Sequence, residues 1–277
     1  MFNKEKWIHG KKRIGDSLMN IDDVMVTKTI FNRFAKEFSD IFEGDVAIAG
    51  AGPAGLVAAK TLAEAGKKVV LFERKLSIGG GMWGGGMTFP VIVVQKESKQ
   101  ILEDVGIKVS DEGNGYFSAN SIESVAKLTS AAIDAGANFY NAISVEDVLL
   151  KDDEVNGFVI NWSAVEAAGL HVDPLTIRAS ACIDATGHPA EVCHIARQKI
   201  RPTTGPLSKK HAFIEGSMSA NTGEQAVLDN TKEVYPGLYA AGMCANAVFG
   251  AHRMGPIFGG MLLSGEKVSK LILKKLK

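Results

Sequence analysis

Residues 45–74 read DVAIAGAGPAGLVAAKTLAEAGKKVVLFER: a strand, a glycine turn, a helix, a second strand and a terminal acid in succession. Val46, Ile48 and their neighbours make the short apolar run of a buried parallel strand. Gly50, Gly52 and Gly55 then supply a G-x-G-x-x-G turn. The first glycine permits the tight turn, the second lets backbone approach a pyrophosphate, and the third brings the helix close to the sheet. Leu56, Ala59, Leu62 and Ala63 share one helical face, and the helix closes at Gly66. Val69 to Phe72 form the second strand, and Glu73 stands where an acid accepts hydrogen bonds from ribose hydroxyls. Strand, helix, strand and acid in this order indicate a bound dinucleotide or ADP-containing ligand, held at the helix N-terminus.

The rest of the composition limits what surrounds this unit. A chain of 277 residues buries a substantial core, as a single α/β domain over residues 1–277 with an N-terminal helical segment at 1–43. A substrate or oligomerisation region is expected to be embedded at about 90–175. Lys and Arg total 31, as do Asp and Glu, so no global field draws the protein to nucleic acid or to an anionic membrane. Cys182, Cys193 and Cys244 have neither paired spacing nor a metal-knuckle pattern, which points to a reducing cytoplasm and to buried small hydrophobes. The N-terminus MFNKEKWIHGKKR lacks a hydrophobic signal core, and no run of about 18 apolar residues suggests a membrane span. A soluble, cytoplasmic protein is expected.

Val26 to Phe42 has the pattern of an amphipathic helix, with Ile30, Phe31, Phe34 and Phe38 on or near one face, delivering into the first strand. Residues 77–90, SIGGGMWGGGMTFP, are too glycine-rich for a regular element and too apolar for a solvated linker, so they should lie against a ligand or another subunit. Ile101 to Gly106 resembles a helix end, Ser121 to Ala135 a helix, and Asn138 to Val148 and Val155 to Trp162 strands.

Ala181 to His188, ACIDATGH, reads as a strand ending in Ala-Thr-Gly, and Gly237 to Gly242, GLYAAG, as a strand ending in a glycine turn. Both resemble later motifs of the glutathione-reductase-like dinucleotide-binding fold, a Rossmann-type α/β fold whose usual ligand is FAD. That likeness implies a central, mainly parallel sheet with a smaller inserted β-containing region. It also makes an FAD-dependent oxidoreductase the alternative reading of function, and a non-catalytic sensor of an ADP-containing ligand a third.

Other residues point elsewhere. Asn161-Trp162, His171-Val172-Asp173-Pro174, Thr186-Gly187-His188, the run Gly79 to Gly86 and Arg253-Met254-Gly255-Pro256 with Phe258-Gly259 resemble the thiamine thiazole synthase family over nearly the whole chain. The resemblance implies that NAD is a substrate: it loses nicotinamide, the ADP-ribose condenses with glycine, and sulfur is added to give an adenylated thiazole carboxylate. Members that sacrifice a cysteine carry it two residues before the Asp-Pro pair, where this chain has His171. The likeness is therefore to the archaeal-type branch, which turns over repeatedly with free sulfide and ferrous iron. A sulfide ion needs a Lewis acid to hold it, and histidine with carboxylate suits Fe(II).

By the same resemblance Asp173 and His188 are the iron ligands. If Leu175 to Asp184 is one extended strand, at about 3.3 Å per residue its ends lie roughly 30 Å apart. The two ligands are then expected from different protomers, so that a homo-oligomer, up to an octamer by the family likeness, is needed for the site. Arg253 is assigned to the carboxylate of glycine or of the glycine imine, which a guanidinium grips bidentately, and its apolar surroundings AHRMGPIFGG argue against full exposure. The resemblance places Glu73 on the adenosine ribose, Arg74 beside the adenine or phosphate, Ala54 and Gly81 in backbone contacts, and Val145 and Met243 on the pocket wall. Gly50, Gly52, Gly55, Val172 and Asp173 complete the nucleotide contacts. His171 is expected to contact the nucleotide intermediate or to carry a proton near the metal, while His194, His211 and His252 have only local polar roles.

Overall fold

The structure, a computed structural model, describes residues 20–210 and 212–277. The readings of the N-terminal stretch 1–13 and of His211 lie outside these residues. The chain divides into two units, Met1–Asp40 and Ile41–Lys277. In the first unit, helix α1 (Asp23–Asp40) starts three residues before the expected Val26. The reason is local: the Asp22 carboxylate accepts from the amide of Val24 at 2.8 Å, satisfying a donor that the first turn leaves open. Phe34 and Phe38, one turn apart, stack with ring centroids 4.9 Å apart.

The second unit begins with the expected βαβ element: β1 (Glu43–Ala49), α2 (Pro53–Glu64) and β2 (Val69–Glu73). Residues Gly80–Gly84, expected to be irregular, instead close into one 3-10 turn. A small antiparallel sheet follows, built from β3 (Val91–Gln95), β4 (Val109–Gly113) and β5 (Tyr116–Asn120) in the order β3-β5-β4, with α3 (Lys96–Asp104) between its first two strands. Helix α4 (Ser121–Asp134) is capped by Asn120, whose side chain accepts from the amide of Glu123. Then come β6 (Asn138–Asn141), β7 (Ile143–Lys151), β8 (Glu154–Trp162), α5 (Ser163–Ala167) and β9 (Leu175–Asp184). The chain ends with α6 (Glu191–Ile200), α7 (Ala220–Asn230), β10 (Lys232–Tyr235), β11 (Leu238–Ala240), α8 (Met243–Phe249) and α9 (Gly259–Lys275).

The main sheet runs β10-β11-β9-β1-β2-β6, with the β7–β8 hairpin joined through β8 to β9. The pairs β11–β9, β9–β1, β1–β2 and β2–β6 are parallel, so five neighbouring strands bring their C-terminal ends to one edge. In open α/β sheets that edge is where ligands bind. On the edge away from β1, strand β9 serves two partners in turn: its first residues pair with β8 and its last three with β11. The expected mainly parallel sheet with a smaller β insertion is thus what the chain forms.

Burial follows the sequence pattern. Val46, Ile48, Val69 and Leu71 join Ala58, Leu62, Val268 and Ile272 in one buried cluster, which packs α2 and α9 onto the sheet. A second cluster unites Ile92 and Val94 of the small sheet with Leu102, Leu128 and Leu262. Each Val, Leu or Ile side chain among them contributes about 1.5–3 kcal/mol when fully buried. No described helix is long and apolar enough to cross a membrane.

Candidate functional site

A cavity of about 380 Å³ opens at the C-terminal ends of β1, β2 and β9, within the usual range for a small-molecule site. Its floor is the glycine turn. Gly50 has φ +97°, and a Cβ there would stand 2.5 Å from the carbonyl oxygen of Ala185 on the neighbouring strand end. Gly55 faces inward, where a Cβ would meet the Gly50 carbonyl oxygen at 2.0 Å. Gly52 differs, since a Cβ there would have nothing within 4 Å, and it caps α2 without any side chain. Gly50 and Gly55 therefore serve packing, and Gly52 leaves the helix N-terminus open to an anion.

Glu73 ends β2 with only 7 % of its surface exposed. One carboxylate oxygen accepts from the Ala51 amide and the other from the Lys75 amide, each at 2.9 Å. The acid thus fastens the glycine turn to β2 while its remaining lone pairs face the cavity it lines. Arg74 pairs with Glu191 at the start of α6. Burial pushes the Glu191 carboxyl up, against the opposing pull of Arg74.

The third wall is the Ala-Thr-Gly turn after β9. Asp184, fully buried, accepts from the Thr186 amide at 3.0 Å and from its hydroxyl at 2.6 Å with one oxygen, and from the Cys193 amide at 2.8 Å with the other. The Thr186 hydroxyl oxygen accepts in turn from the Glu191 amide at 2.8 Å. This network fixes the turn that presents His188 at the cavity rim, with its side chain 43 % exposed. Its Nδ1 lies 2.8 and 2.9 Å from the two oxygens of Glu215.

Of the residues expected at the site, Gly50, Gly52, Ala54, Glu73, Arg74, Gly81, Val145, His188 and Met243 line this one cavity. Gly55 does not, being sealed beneath the turn. His171, Val172 and Asp173 do not line it either; they sit in an exposed loop before β9. Strand β9 is one uninterrupted element of 10 residues, with Asp173 before its start and His188 beyond its end, and at about 3.3 Å per residue the strand's own ends lie roughly 30 Å apart. Arg253 is also outside the cavity and exposed. Its apolar surroundings suggested more cover, but Met254 and Phe258 turn inward, to 1 % and 6 % exposure, and leave the guanidinium outside.

The cysteines are all buried, as expected, yet Cys193 and Cys244 come together across 51 residues of sequence with sulfurs 3.9 Å apart beside Asp184. Asp184 is committed to its three donors, and none of the thiols lines the cavity. Burial pushes the Cys193 thiol up to about 12 and raises those of Cys182 and Cys244 as well. Glu215 and Glu191 were not singled out by sequence. Glu191 carried a signal, an acid in the first turn of a helix after a glycine turn. Glu215, 27 residues from its histidine partner in an irregular stretch, carried none.

Comparison with known proteins gives this arrangement a family. The profile described as the Thi4 family matches residues 27–258. A protein from Methanococcoides burtonii named "Thiamine thiazole synthase" is 53% identical over 259 residues, covering 93% of this chain and 100% of its own. One of the same name from Pyrococcus furiosus is 49% identical over 256 residues, covering 92% and 99%. Among solved structures, "Crystal structure of Thermovibrio ammonificans THI4" superposes with a TM-score of 0.89 at 44% identity, covering 93% of this chain and 99% of that one. The chain belongs to the Thi4 family.

Proposed function

We propose that this protein is a thiamine thiazole synthase that consumes NAD and glycine and takes its sulfur from sulfide with the help of Fe(II). Family membership over residues 27–258 carries the reading. The cavity supports it in detail. The open amides after Gly52 suit a pyrophosphate, the free lone pairs of Glu73 suit ribose hydroxyls, and Arg74 suits the adenine or phosphate. Gly81 would add a backbone contact, with Val145 and Met243 as the apolar wall. Held there by its ADP half, the dinucleotide would lose nicotinamide, condense with glycine through the exposed ribose, and accept sulfur to become an adenylated thiazole carboxylate.

The donor set suits ferrous iron. Glu215 occupies Nδ1 of His188 and leaves Nε2 as the ligating nitrogen, and an imidazole with a carboxylate is a donor combination Fe(II) accepts. Bound by His188 of one protomer and Asp173 of its neighbour, the iron would supply a Lewis acid that holds sulfide. Two observations support sharing: the length of β9, and the exposure of the 171–173 loop in a single chain. The homo-oligomer, up to eight chains, would then close each cavity with a neighbour's His171 and Val172. There His171 would contact the intermediate or carry a proton, and Arg253 would grip the glycine carboxylate. Repeated turnover rather than self-sacrifice is favoured by the burial of all three thiols away from the cavity.

Anaerobic incubation with NAD, glycine, sulfide and ferrous salt, followed by mass spectrometry, tests the reading. An adenylated thiazole that disappears when any one component is omitted is the expected result. Absence of product from the complete mixture rejects the activity, and a yellow protein with stoichiometric flavin would move the assignment to an oxidoreductase of the same fold.

A further inference from the structure

We infer that Glu215 is the positioning residue that makes His188 a ligand through Nε2. The inference rests on the proposed metal role of His188. A carboxylate only accepts, so with both Glu215 oxygens within 2.9 Å of Nδ1 the neutral ring carries its proton on Nδ1 and keeps the Nε2 lone pair for a cation. Glu215 is itself held still. Its side chain is 18 % exposed against 43 % for the histidine it holds.

The loop around it lies strapped along residues 247–253. The Phe213 amide donates to Ala247 at 2.8 Å, the Gly216 amide to Ala251 at 3.0 Å, and the Ser219 amide to Arg253 at 2.9 Å. His252 Nδ1 donates to the Ser217 carbonyl at 2.5 Å, and a Cβ on Gly216 would meet that imidazole at 2.9 Å, so the strap fits with no slack. Four hydrogen bonds of this strap therefore join the loop that orients His188 to the segment that carries Arg253. A histidine on a short turn, half in solvent, gains from the strap the ring orientation and tautomer that its own backbone does not impose.

The test is a titration with Co(II), a spectroscopic substitute for Fe(II), read by the visible bands of the bound ion, on the parent protein, H188A, E215A, E215Q and E215D. Far-UV circular dichroism reports folding throughout. H188A should abolish the bands and E215A should weaken Co(II) binding 10- to 100-fold. E215Q, which keeps an acceptor for Nδ1–H, should bind nearly as the parent. Parent-like affinity in E215A, with binding lost in H188A, overturns the role of Glu215 and leaves the metal reading standing. Parent-like affinity in H188A overturns both. E215Q as weak as E215A overturns orientation in favour of charge. Should E215A lose its fold, E215D decides, because its shorter carboxylate falls short of Nδ1: weak binding supports the inference and parent-like binding refutes it.

Discussion

The two glycines Gly55 and Gly52 sit three residues apart in one motif and should fail in opposite ways when each is changed to alanine. At Gly55 the new methyl would start 2.0 Å from the Gly50 carbonyl oxygen, where ordinary contact begins at 3.4 Å, so the first turn of α2 must back away by about 1.4 Å. The face displaced includes Leu56, Val57, Ala58, Ala59 and Leu62, each at most 2 % exposed. Overpacking of this kind costs about 1–3 kcal/mol, and the better helix propensity of alanine returns at most about 1 kcal/mol. We expect a net loss near 2 kcal/mol, which for a unit of this size lowers Tm by roughly 4–8 °C. At Gly52 the backbone already has φ −75° and ψ −176°, which any residue adopts, and a Cβ meets nothing. There the gain from a less flexible unfolded chain, about 0.4–1 kcal/mol, offsets the loss of a glycine cap, so Tm should hardly move. The methyl instead projects where a pyrophosphate would lie against the turn. ADP or NAD affinity should fall at least about tenfold, or about 1.4 kcal/mol. Differential scanning fluorimetry and calorimetric titration of both variants decide the matter. Equal destabilisation of the two, or a Gly52→Ala protein that binds ADP as the parent does, would refute the division of labour.

Four further outcomes are expected. Mixing Asp173→Ala and His188→Ala proteins under conditions where subunits exchange should restore part of the activity each lacks; no recovery after exchange has been verified by mass would exclude an iron site shared between chains. Glu73→Gln turns an amide donor toward the Ala51 or Lys75 amide that its carboxylate now satisfies, so urea denaturation should show a loss of about 1–3 kcal/mol, beyond any loss of nucleotide affinity. The buried Cys193 thiol holds its proton to about 12 against an ordinary value of 9.0; its folded state binds more protons, so its contribution is intact below about pH 9 and is lost as pH rises toward 12, and denaturation midpoints should fall across that window. Intact mass after many turnovers should find all three thiols whole, and conversion of any of them to a desulfurised residue would contradict the use of external sulfide.

The residues 45–74 were sufficient, without any tertiary information, to place β1, the glycine turn, α2, β2 and Glu73, because each of these is decided by periodicity or by backbone sterics within a few residues. The motif at 181–188 was legible for the same reason: a strand that must end in a turn carries its glycine with it. The individual strands of the small sheet over residues 91–120 are not legible in the sequence, since exposed edge residues, such as those of β4, show no clean alternation and pair only through a partner strand. The 3-10 turn at Gly80–Gly84 was also hidden, because three of its five residues are glycines with no side chain to reveal a period.

At the site, the sequence by itself determined which residue types were present and, through β9, that Asp173 and His188 stand at opposite ends of one strand. Only the tertiary structure decided that Glu191 faces Arg74, that Asp184 pins the turn beneath His188, that Cys193 meets Cys244, and that Glu215 holds the histidine ring. Each of those contacts joins elements far apart in the chain and depends on where the sheet order and the crossover helices deliver them. Local sterics fix a turn from its own few residues; a hydrogen bond across 27 or 51 positions is fixed only when the core that lies between has packed.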